Sequence, residues 1–163
     1  MNQEKLSGHD REAPHSHLIQ AMSPLIFMII IILDSFFFQW STFLNEFIPF
    51  WVRVLMLIVF LGFAITLIQL SHKALFQENN PSDELVTNGI LKLVRNPMYL
   101  GILLIYVSFI LFSLSLISVV AFIIIVILYN RMVNFEEHIL EQLFGEKYLE
   151  YKKRVPKWIP KLF

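Results

Sequence analysis

The chain has 163 residues, and its 13 basic residues balance its 13 acidic ones, so it carries no formal net charge. Hydrophobic residues make up 56% of it, including 16 Phe, and Cys is absent. A soluble domain of this length needs a more polar surface, so the composition predicts an integral membrane protein with small extramembrane parts. The lack of Cys excludes disulfide bonds, thiolate metal sites and a cysteine nucleophile. The neutral charge argues against a nucleic-acid partner.

The first 20 residues are polar and are predicted to form a tail that precedes the membrane region. The tail contains His9 and the pair His15 and His17. Metal sites need three or four ligands at fixed spacing, so this pattern does not predict one. The apolar stretch that follows runs into Asp34 and Ser35 without a small-residue cleavage site. This favours an uncleaved first span over a removable signal peptide.

Four apolar segments are predicted to cross the membrane, since a spanning helix needs about 20 apolar residues. They cover residues 24–43, 50–70, 97–112 and 116–133. The last two come from one long apolar block that is divided by Ser113, Ser115 and Ser118. The sequence therefore predicts an all-α integral membrane protein with four transmembrane helices, a cytoplasmic loop before the third and an amphipathic C-terminal helix.

The basic residues predict the orientation of these spans. All of them except Arg53 fall on one side of the predicted membrane region. The positive-inside rule makes that side cytoplasmic, and both termini are predicted to lie there. The chain divides into a polar tail over 1–20, two transmembrane helices over 21–71 and a core over 72–163. The core comprises a cytoplasmic loop, a helical hairpin and the C-terminal helix.

The loop between the second and third spans is long, and turn signals at Asn80-Pro81 and Asn88-Gly89 predict that it is folded. At its end, Asn96 suits a helix N-cap and Pro97 suits the first helical position, which alone could explain both residues. Alternatively, the free N–H groups of this helix start, together with Arg95, form a site for an anion. Arg95 could instead only anchor the helix to lipid headgroups.

Two carboxylates follow the last span, at the same predicted membrane surface as Arg95. Glu136 falls near the centre of an apolar stripe, so it needs a cationic partner, either Arg95 or a positively charged ligand. Glu137 falls toward the polar flank and is expected to face solvent or lipid headgroups. Charged groups at both ends of one hairpin predict a single site for a charged ligand.

Three further features are interpreted from local chemistry. Asp34 lies inside the first span, where an acid is either functional or paired, and Arg53 is the predicted partner. Gly145 is expected to let the last helix stop or bend. The basic and aromatic tail after it is predicted to lie on an anionic membrane surface. It contains Lys152, Lys153, Arg154, Lys157 and Trp158.

The second half of the chain, over 72–160, resembles the isoprenylcysteine carboxyl methyltransferase family, which also includes phospholipid N-methyltransferase-like membrane proteins. The matching residues are Leu85, Val86, Gly89, Ile90, Arg95, Pro97, Tyr99, Gly101, Glu136, Glu137, Leu140, Phe144, Gly145, Tyr148 and Tyr151. The chain departs from the family pattern at Leu91, where Tyr is usual. It departs again at Asn96, where His is usual, and this removes an ionisable group.

The resemblance implies an enzyme that takes a methyl group from S-adenosylmethionine at the cytoplasmic surface. It implies a lipid-like or prenylated acceptor, methylated on a carboxylate, thiol or amine, that arrives from the bilayer. The donor-binding residues it implies are Leu85, Val86, Gly89, Arg95, Asn96, Pro97, Tyr99, Glu136 and Glu137. Arg95 and Glu137 are the expected catalytic residues, and either Glu137 or water is the candidate to take a proton from an amine acceptor.

Two other functions are compatible with the same features. Some sterol reductases share a related C-terminal pattern, so a nicotinamide-dependent membrane reductase is one alternative. More basic residues than Lys73, Lys92 and Arg95 would favour it, because a dinucleotide carries phosphates. A non-catalytic membrane protein that retains the fold is the other. A location in the cell membrane of a bacterium or an archaeon is expected.

Overall fold

The structure is a computed structural model that describes residues 13–14, 16–76 and 84–160. Within these ranges, every regular element is a helix. The predictions for His9, His15 and the Asn80-Pro81 turn lie outside the described residues. The elements are α1 (Ser16–Ile32), α2 (Phe50–Leu75), α3 (Pro97–Ser113), α4 (Leu116–Phe144) and α5 (Glu146–Arg154). A π-helical stretch, Leu33–Phe38, continues α1, and short 3-10 helices cover Phe43–Glu46 and Gly89–Lys92.

Three helical stretches among the described residues are long and apolar enough to cross a membrane, namely Ser16–Phe38, Phe50–Leu75 and Leu116–Phe144. Helix α3 is apolar but has only 17 residues. At 1.5 Å per residue it is about 26 Å long, somewhat less than the ~30 Å hydrocarbon core. The all-α membrane fold is therefore confirmed, whereas the number of four spans stays a prediction.

The boundaries of the first span were predicted wrongly. It was expected over 24–43, but α1 begins at Ser16, inside the predicted tail, and its π-helical continuation ends at Phe38. Pro24, the first residue of the predicted span, lies inside the helix. Membrane helices accommodate an internal Pro because neighbouring groups satisfy the freed carbonyl. The predicted break between α3 and α4 is confirmed at Leu114 and Ser115.

Helices α2 and α3 pack closely because Gly101 has no side chain. A Cβ added there would lie 3.0 Å from the carbonyl oxygen of Ala64 and 2.6 Å from Cγ1 of Ile68. Small residues of this kind let two membrane helices approach each other. The contact holds α3, and with it Arg95 and Asn96 just before it, against the cytoplasmic half of α2 in the predicted orientation.

The Gly101→Ala variant is expected to unfold at a lower temperature than the wild type, since α2 and α3 must separate to admit the methyl group. Overpacking of this kind costs about 1–3 kcal/mol. Gly62→Ala is the matched control, because a Cβ on Gly62 meets nothing within 4 Å. Thermal unfolding of both variants in one detergent measures the difference. Equal melting temperatures would contradict the close α2–α3 contact.

Helix α1 packs against α4, and their contact belongs to an aromatic core that also includes α3. Phe27 stands edge-on to Tyr106, with ring centroids 4.8 Å apart. Ser23 Oγ lies 2.9 Å from the Tyr106 hydroxyl and 3.3 Å from the Tyr129 hydroxyl. The three hydroxyls therefore satisfy one another inside the core, and they fix one face of α1 against α3 and α4.

Asp34 is buried in a cluster of hydroxyl groups, and the predicted pairing with Arg53 is wrong. Its carboxylate accepts hydrogen bonds from the Ser41 backbone N–H at 3.2 Å, the Ser41 hydroxyl and the Ser115 hydroxyl at 2.6 Å. Arg53 instead donates to Asn45 Oδ1 at 2.5 Å and to the Phe112 carbonyl at 3.3 Å. Three donors satisfy the carboxylate without a cation, so Asp34 ties the end of α1 to the α3–α4 turn.

Candidate functional site

Arg95 lies just before α3 and joins three parts of the chain. Its Nε donates to Oε1 of Glu137 at 3.1 Å and its Nη2 donates to Oε2 at 3.3 Å, which is the two-pronged pairing that a guanidinium forms with a carboxylate. Its Nη1 donates to the carbonyls of Lys152 and Val155 at 2.8 and 2.9 Å. The loop before α3, helix α4 and the end of α5 are therefore held together by one side chain.

Of the two partners considered for Glu136, Arg95 is the wrong one, since Arg95 pairs with Glu137. Glu137 was expected on the polar flank of α4, yet it is only 4% exposed. The helical spacing of the α4 residues gives their positions relative to one another. It does not show which other parts of the chain pack against each side of the helix. The structure covers this flank with Arg95, with Asn96 and with Lys152, whose Nζ lies 3.9 Å from Glu137 Oε2. A buried acid needs such partners, and here they come from other elements.

Asn96 occupies the N-cap position of α3, but its side chain makes no capping hydrogen bond. The expectation that the side chain caps the helix is therefore wrong. Its Nδ2 donates instead to Glu137 Oε1 at 2.9 Å. Pro97 is the first residue of α3, as predicted. Asn96 thus adds a third donated hydrogen bond to the Glu137 carboxylate and helps to hold α4 against the start of α3.

Glu136 points the other way and lines a cavity of about 410 Å³. It is half-buried, and it accepts a hydrogen bond from the hydroxyl of Tyr99. Five of the predicted site residues line the cavity, namely Arg95, Asn96, Pro97, Tyr99 and Glu136. We call this cavity the polar cavity, because a guanidinium, an amide, a phenol and a carboxylate all border it. Its size falls within the usual range for small-molecule sites.

Four predicted site residues do not line the polar cavity. Glu137 is buried away from it, and Leu85 packs against the cluster formed by Tyr148, Tyr151 and Val155. Gly89 has a φ of +58°, which favours glycine, and it borders a separate groove beside the end of α2. Val86 is half-buried in the same loop. Donor binding by Leu85, Val86 and Gly89 stays a prediction, and the observed contacts show them shaping the loop.

Helix α1 supplies two lining residues that the sequence analysis missed. His17 and Gln20 both border the polar cavity, although His17 was expected in a tail and Gln20 was not considered. The available signal was the helical spacing of residues 17, 20, 24 and 27, which share one face of a helix. Residues 17 and 20 lie before Pro24, where the first span was predicted to begin, so they were not assigned to a helix.

The segment after α4 folds back over the site. Gly145, with a φ of +54°, ends α4 as predicted. Tyr151 then donates its hydroxyl to the Leu91 carbonyl at 2.7 Å, and the Arg95 N–H donates to the Pro156 carbonyl at 3.0 Å. Burial raises the pKa of Tyr151 to about 12, so its hydroxyl remains protonated and able to donate.

The basic tail was predicted to lie on the membrane surface, and part of it contacts the protein instead. Lys157 Nζ donates to Oδ1 of Asn130 and of Asn134, both at 2.6 Å, and Trp158 Nε1 also donates to Asn130 at 3.3 Å. Burial lowers the pKa of Lys157. Lys153 and Arg154 are exposed on α5, so membrane contact through these two residues stays a prediction.

A second cavity of about 330 Å³ adjoins the polar one. Two residues, Gln20 and Ile102, line both. The remaining lining is apolar or aromatic and includes Pro24, Phe27, Met28, Ile105, Tyr106, Phe109 and Tyr129. We call it the apolar groove. A site with one polar and one apolar chamber suits the reacting head and the hydrocarbon chain of an amphipathic molecule.

Comparison with known proteins relates the chain to one family of enzymes. The family model for "Phospholipid methyltransferase" matches residues 54–147, which include α3, the Arg95–Glu137 pair and all of α4. Protein-S-isoprenylcysteine O-methyltransferase B of Arabidopsis thaliana is 37% identical over 78 residues, which are 47% of this chain and 40% of the relative. The A protein of the same plant is 36% identical over 77 residues, 47% of this chain and 39% of the relative.

A probable protein-S-isoprenylcysteine O-methyltransferase of Oryza sativa subsp. indica is 32% identical over 78 residues, 47% of this chain and 41% of the relative. The matched stretches thus span about two fifths of the relatives' length. The family model, in contrast, covers more than half of the present chain. The resemblance found in the sequence is confirmed, and the chain belongs to the phospholipid methyltransferase family.

Proposed function

We propose that the chain is a membrane methyltransferase that takes its methyl group from S-adenosylmethionine and transfers it to a lipid-like or prenylated acceptor. The observation that carries the proposal is the polar cavity, in which Glu136 and Arg95 present opposite charges beside the start of α3. Family membership and the names of the plant relatives support the same reaction class. S-adenosylmethionine supplies a methyl group on a positively charged sulfonium.

The residues around the polar cavity fit this donor. The Glu136 carboxylate suits its two cationic groups, the ammonium and the sulfonium. A guanidinium has five N–H donors, and Arg95 uses four of them on Glu137, Lys152 and Val155. The fifth, together with the N–H groups at the start of α3, suits the donor's carboxylate. The arrangement would align the donor and keep water from it, which is what methyl transfer mainly requires.

The position of Glu137 does not support the expectation that it accepts a proton. Its carboxylate is occupied by Arg95 and Asn96 and does not border the polar cavity. Glu137 is therefore a positioning residue for Arg95. A carboxylate or thiolate acceptor needs no base, whereas an amine acceptor must lose a proton. Glu136 is the carboxylate that borders the cavity, so it is the residue to which we assign that proton.

We also propose that α3 completes a fourth crossing and that both termini lie in the cytoplasm, in the cell membrane of a bacterium or an archaeon. The asymmetry of the basic residues supports this orientation, because Arg53 is the only basic residue at the opposite end of the helices within the described ranges. The donor would then bind at the cytoplasmic surface, and the acceptor would reach the apolar groove from the bilayer.

The experiment that tests the donor is a binding titration of the purified full chain in detergent. S-adenosylhomocysteine, the demethylated donor, is expected to bind saturably, and a reduced nicotinamide dinucleotide is expected not to bind. Isothermal calorimetry measures both. Binding of the dinucleotide alone would favour a reductase, and binding of neither would favour a non-catalytic membrane protein.

A further inference from the structure

Helix α1 lies outside the stretch that the family model matches, yet one of its faces borders both chambers of the site. His17 and Gln20 face the polar cavity, and Gln20, Pro24 and Phe27 face the apolar groove. Steps of three and four residues keep these side chains on one side of a helix. Residues outside the matched stretch therefore complete a site whose other lining residues lie within that stretch.

Gln20 stands where the two chambers meet, together with Ile102. The other polar groups of the apolar groove are the hydroxyls of Tyr106 and Tyr129, and Ser23 lies within hydrogen-bond distance of both. Gln20 is half-buried, and its side-chain amide makes no hydrogen bond to the part of the chain that the structure describes. The Gln20 amide is thus a polar group available for a ligand at the junction of the two chambers. The polar head of an amphipathic molecule that occupied both chambers would lie beside it.

We propose that Gln20 determines acceptor specificity by donating a hydrogen bond from its amide to a carboxylate on an apolar, isoprenoid-like chain. The inference rests on the proposed function and deepens it. The apolar groove suits the chain, and the amide is neutral, so it binds an anion without the competing charge that an acid would add. A carboxylate acceptor also needs no base, and Glu136 is then left to hold the donor's cations.

The transfer balances without a further reactant. A carboxylate oxygen forms a bond to the methyl carbon while the carbon–sulfur bond of the donor breaks and its electron pair returns to sulfur. The products are a neutral methyl ester and S-adenosylhomocysteine. The negative charge of the acceptor and the positive charge of the sulfonium cancel, and no proton moves. Gln20 is a specificity residue for the acceptor and takes no part in bond making.

The test compares two acceptors with the same C15 chain, N-acetyl-S-farnesylcysteine and farnesylamine, which present a carboxylate and an amine. The wild type is expected to methylate the carboxylate probe preferentially. Gln20→Leu is expected to lower kcat/KM for that probe about tenfold, mainly through KM, because one hydrogen bond to an anion is lost. Gln20→Glu is expected to reverse the preference, since its negative charge repels the carboxylate and attracts the amine.

Gln69→Leu is the matched control, because Gln69 is exposed on α2 and borders neither chamber. Gln69→Leu is expected to bind S-adenosylhomocysteine within twofold of the wild type, and the affinity of each Gln20 variant for it is measured so that the two acceptors are compared at saturating donor. The same ranking of probes is measured without turnover, from the rise in melting temperature that each probe causes when S-adenosylhomocysteine is present.

Three outcomes would overturn the inference about Gln20. They are a wild type that prefers the amine, Gln20 variants that keep the wild-type ranking in both measurements, and a wild type that binds neither probe while it binds S-adenosylhomocysteine. Failure of the wild type to bind S-adenosylhomocysteine is a different result. It would overturn the proposed function itself, so the two failures are distinguishable.

Discussion

Glu136→Gln is expected to weaken donor binding about 10- to 100-fold while the melting temperature stays close to that of the wild type. The carboxylate borders the polar cavity, where it is proposed to face the donor's cationic groups. Loss of a charge-assisted hydrogen bond costs about 1.5–3 kcal/mol. Stability should be preserved, because a Gln oxygen at the same place can still accept the hydroxyl of Tyr99.

Two ligands make this measurement sharper. S-adenosylmethionine carries both an ammonium and a sulfonium, whereas S-adenosylhomocysteine retains only the ammonium. An equal loss for both ligands would assign Glu136 to the ammonium, and a loss confined to S-adenosylmethionine would assign it to the sulfonium. Calorimetric titration of wild type and variant with each ligand provides the comparison. Unchanged affinity for both would remove Glu136 from the donor site.

Glu137→Gln is expected to have the opposite effect and to destabilise the fold. The carboxylate is buried and accepts hydrogen bonds from Arg95 and Asn96. Removing its charge leaves the Arg95 guanidinium without its counterion, and breaking a buried ion pair in this way costs about 3–5 kcal/mol. Thermal unfolding in detergent, followed by the loss of monodisperse protein, should show a large drop in melting temperature.

Glu141→Gln is the matched control for that experiment. Glu141 lies one helical turn further along α4 and pairs with Lys152, whose side chain is 40% exposed. A partly exposed pair contributes at most about 1 kcal/mol, so the control should unfold close to the wild type. A Glu137→Gln variant as stable as Glu141→Gln would show that the buried pair does not hold the loop, α4 and α5 together. Substitutions at two adjacent residues of one helix are thus expected to differ in effect. Glu136→Gln should weaken ligand binding, and Glu137→Gln should lower stability.

The positions at which helices begin and end were largely predictable from the sequence, because the signals are local. The break at Leu114 and Ser115, the start at Pro97 and the end at Gly145 follow from serine, proline and glycine chemistry within a few residues. The exception is the start of α1. Pro24 has the same local signature as Pro97, and only its surroundings in the folded helix show that the chain is already helical there.

The partners of the charged residues were decided by the tertiary structure. Helical geometry places Glu136 and Glu137 on different sides of α4, but it does not say which side another element covers. The start of α3 and the end of α5 cover Glu137, and α1 and α3 border the cavity that Glu136 faces. The sequence alone therefore predicted an arginine–glutamate site at one surface, and the fold paired the arginine with Glu137 and left Glu136 lining the cavity.

Tertiary contacts also decided the surroundings of Asp34 and Gln20. The composition of the first span shows only that an acid is present and needs partners, and one of the two serines that donate to it lies 81 residues away. Gln20 is an ordinary polar residue in the sequence, and it gains a specific position only because α1 packs against α4 beside the α3 wall. Hydrophobic pattern and local turn chemistry determined the class of fold, and the resemblance of the motif residues indicated the family. Long-range packing decided which side chain faces which chamber, because that depends on contacts no local pattern contains.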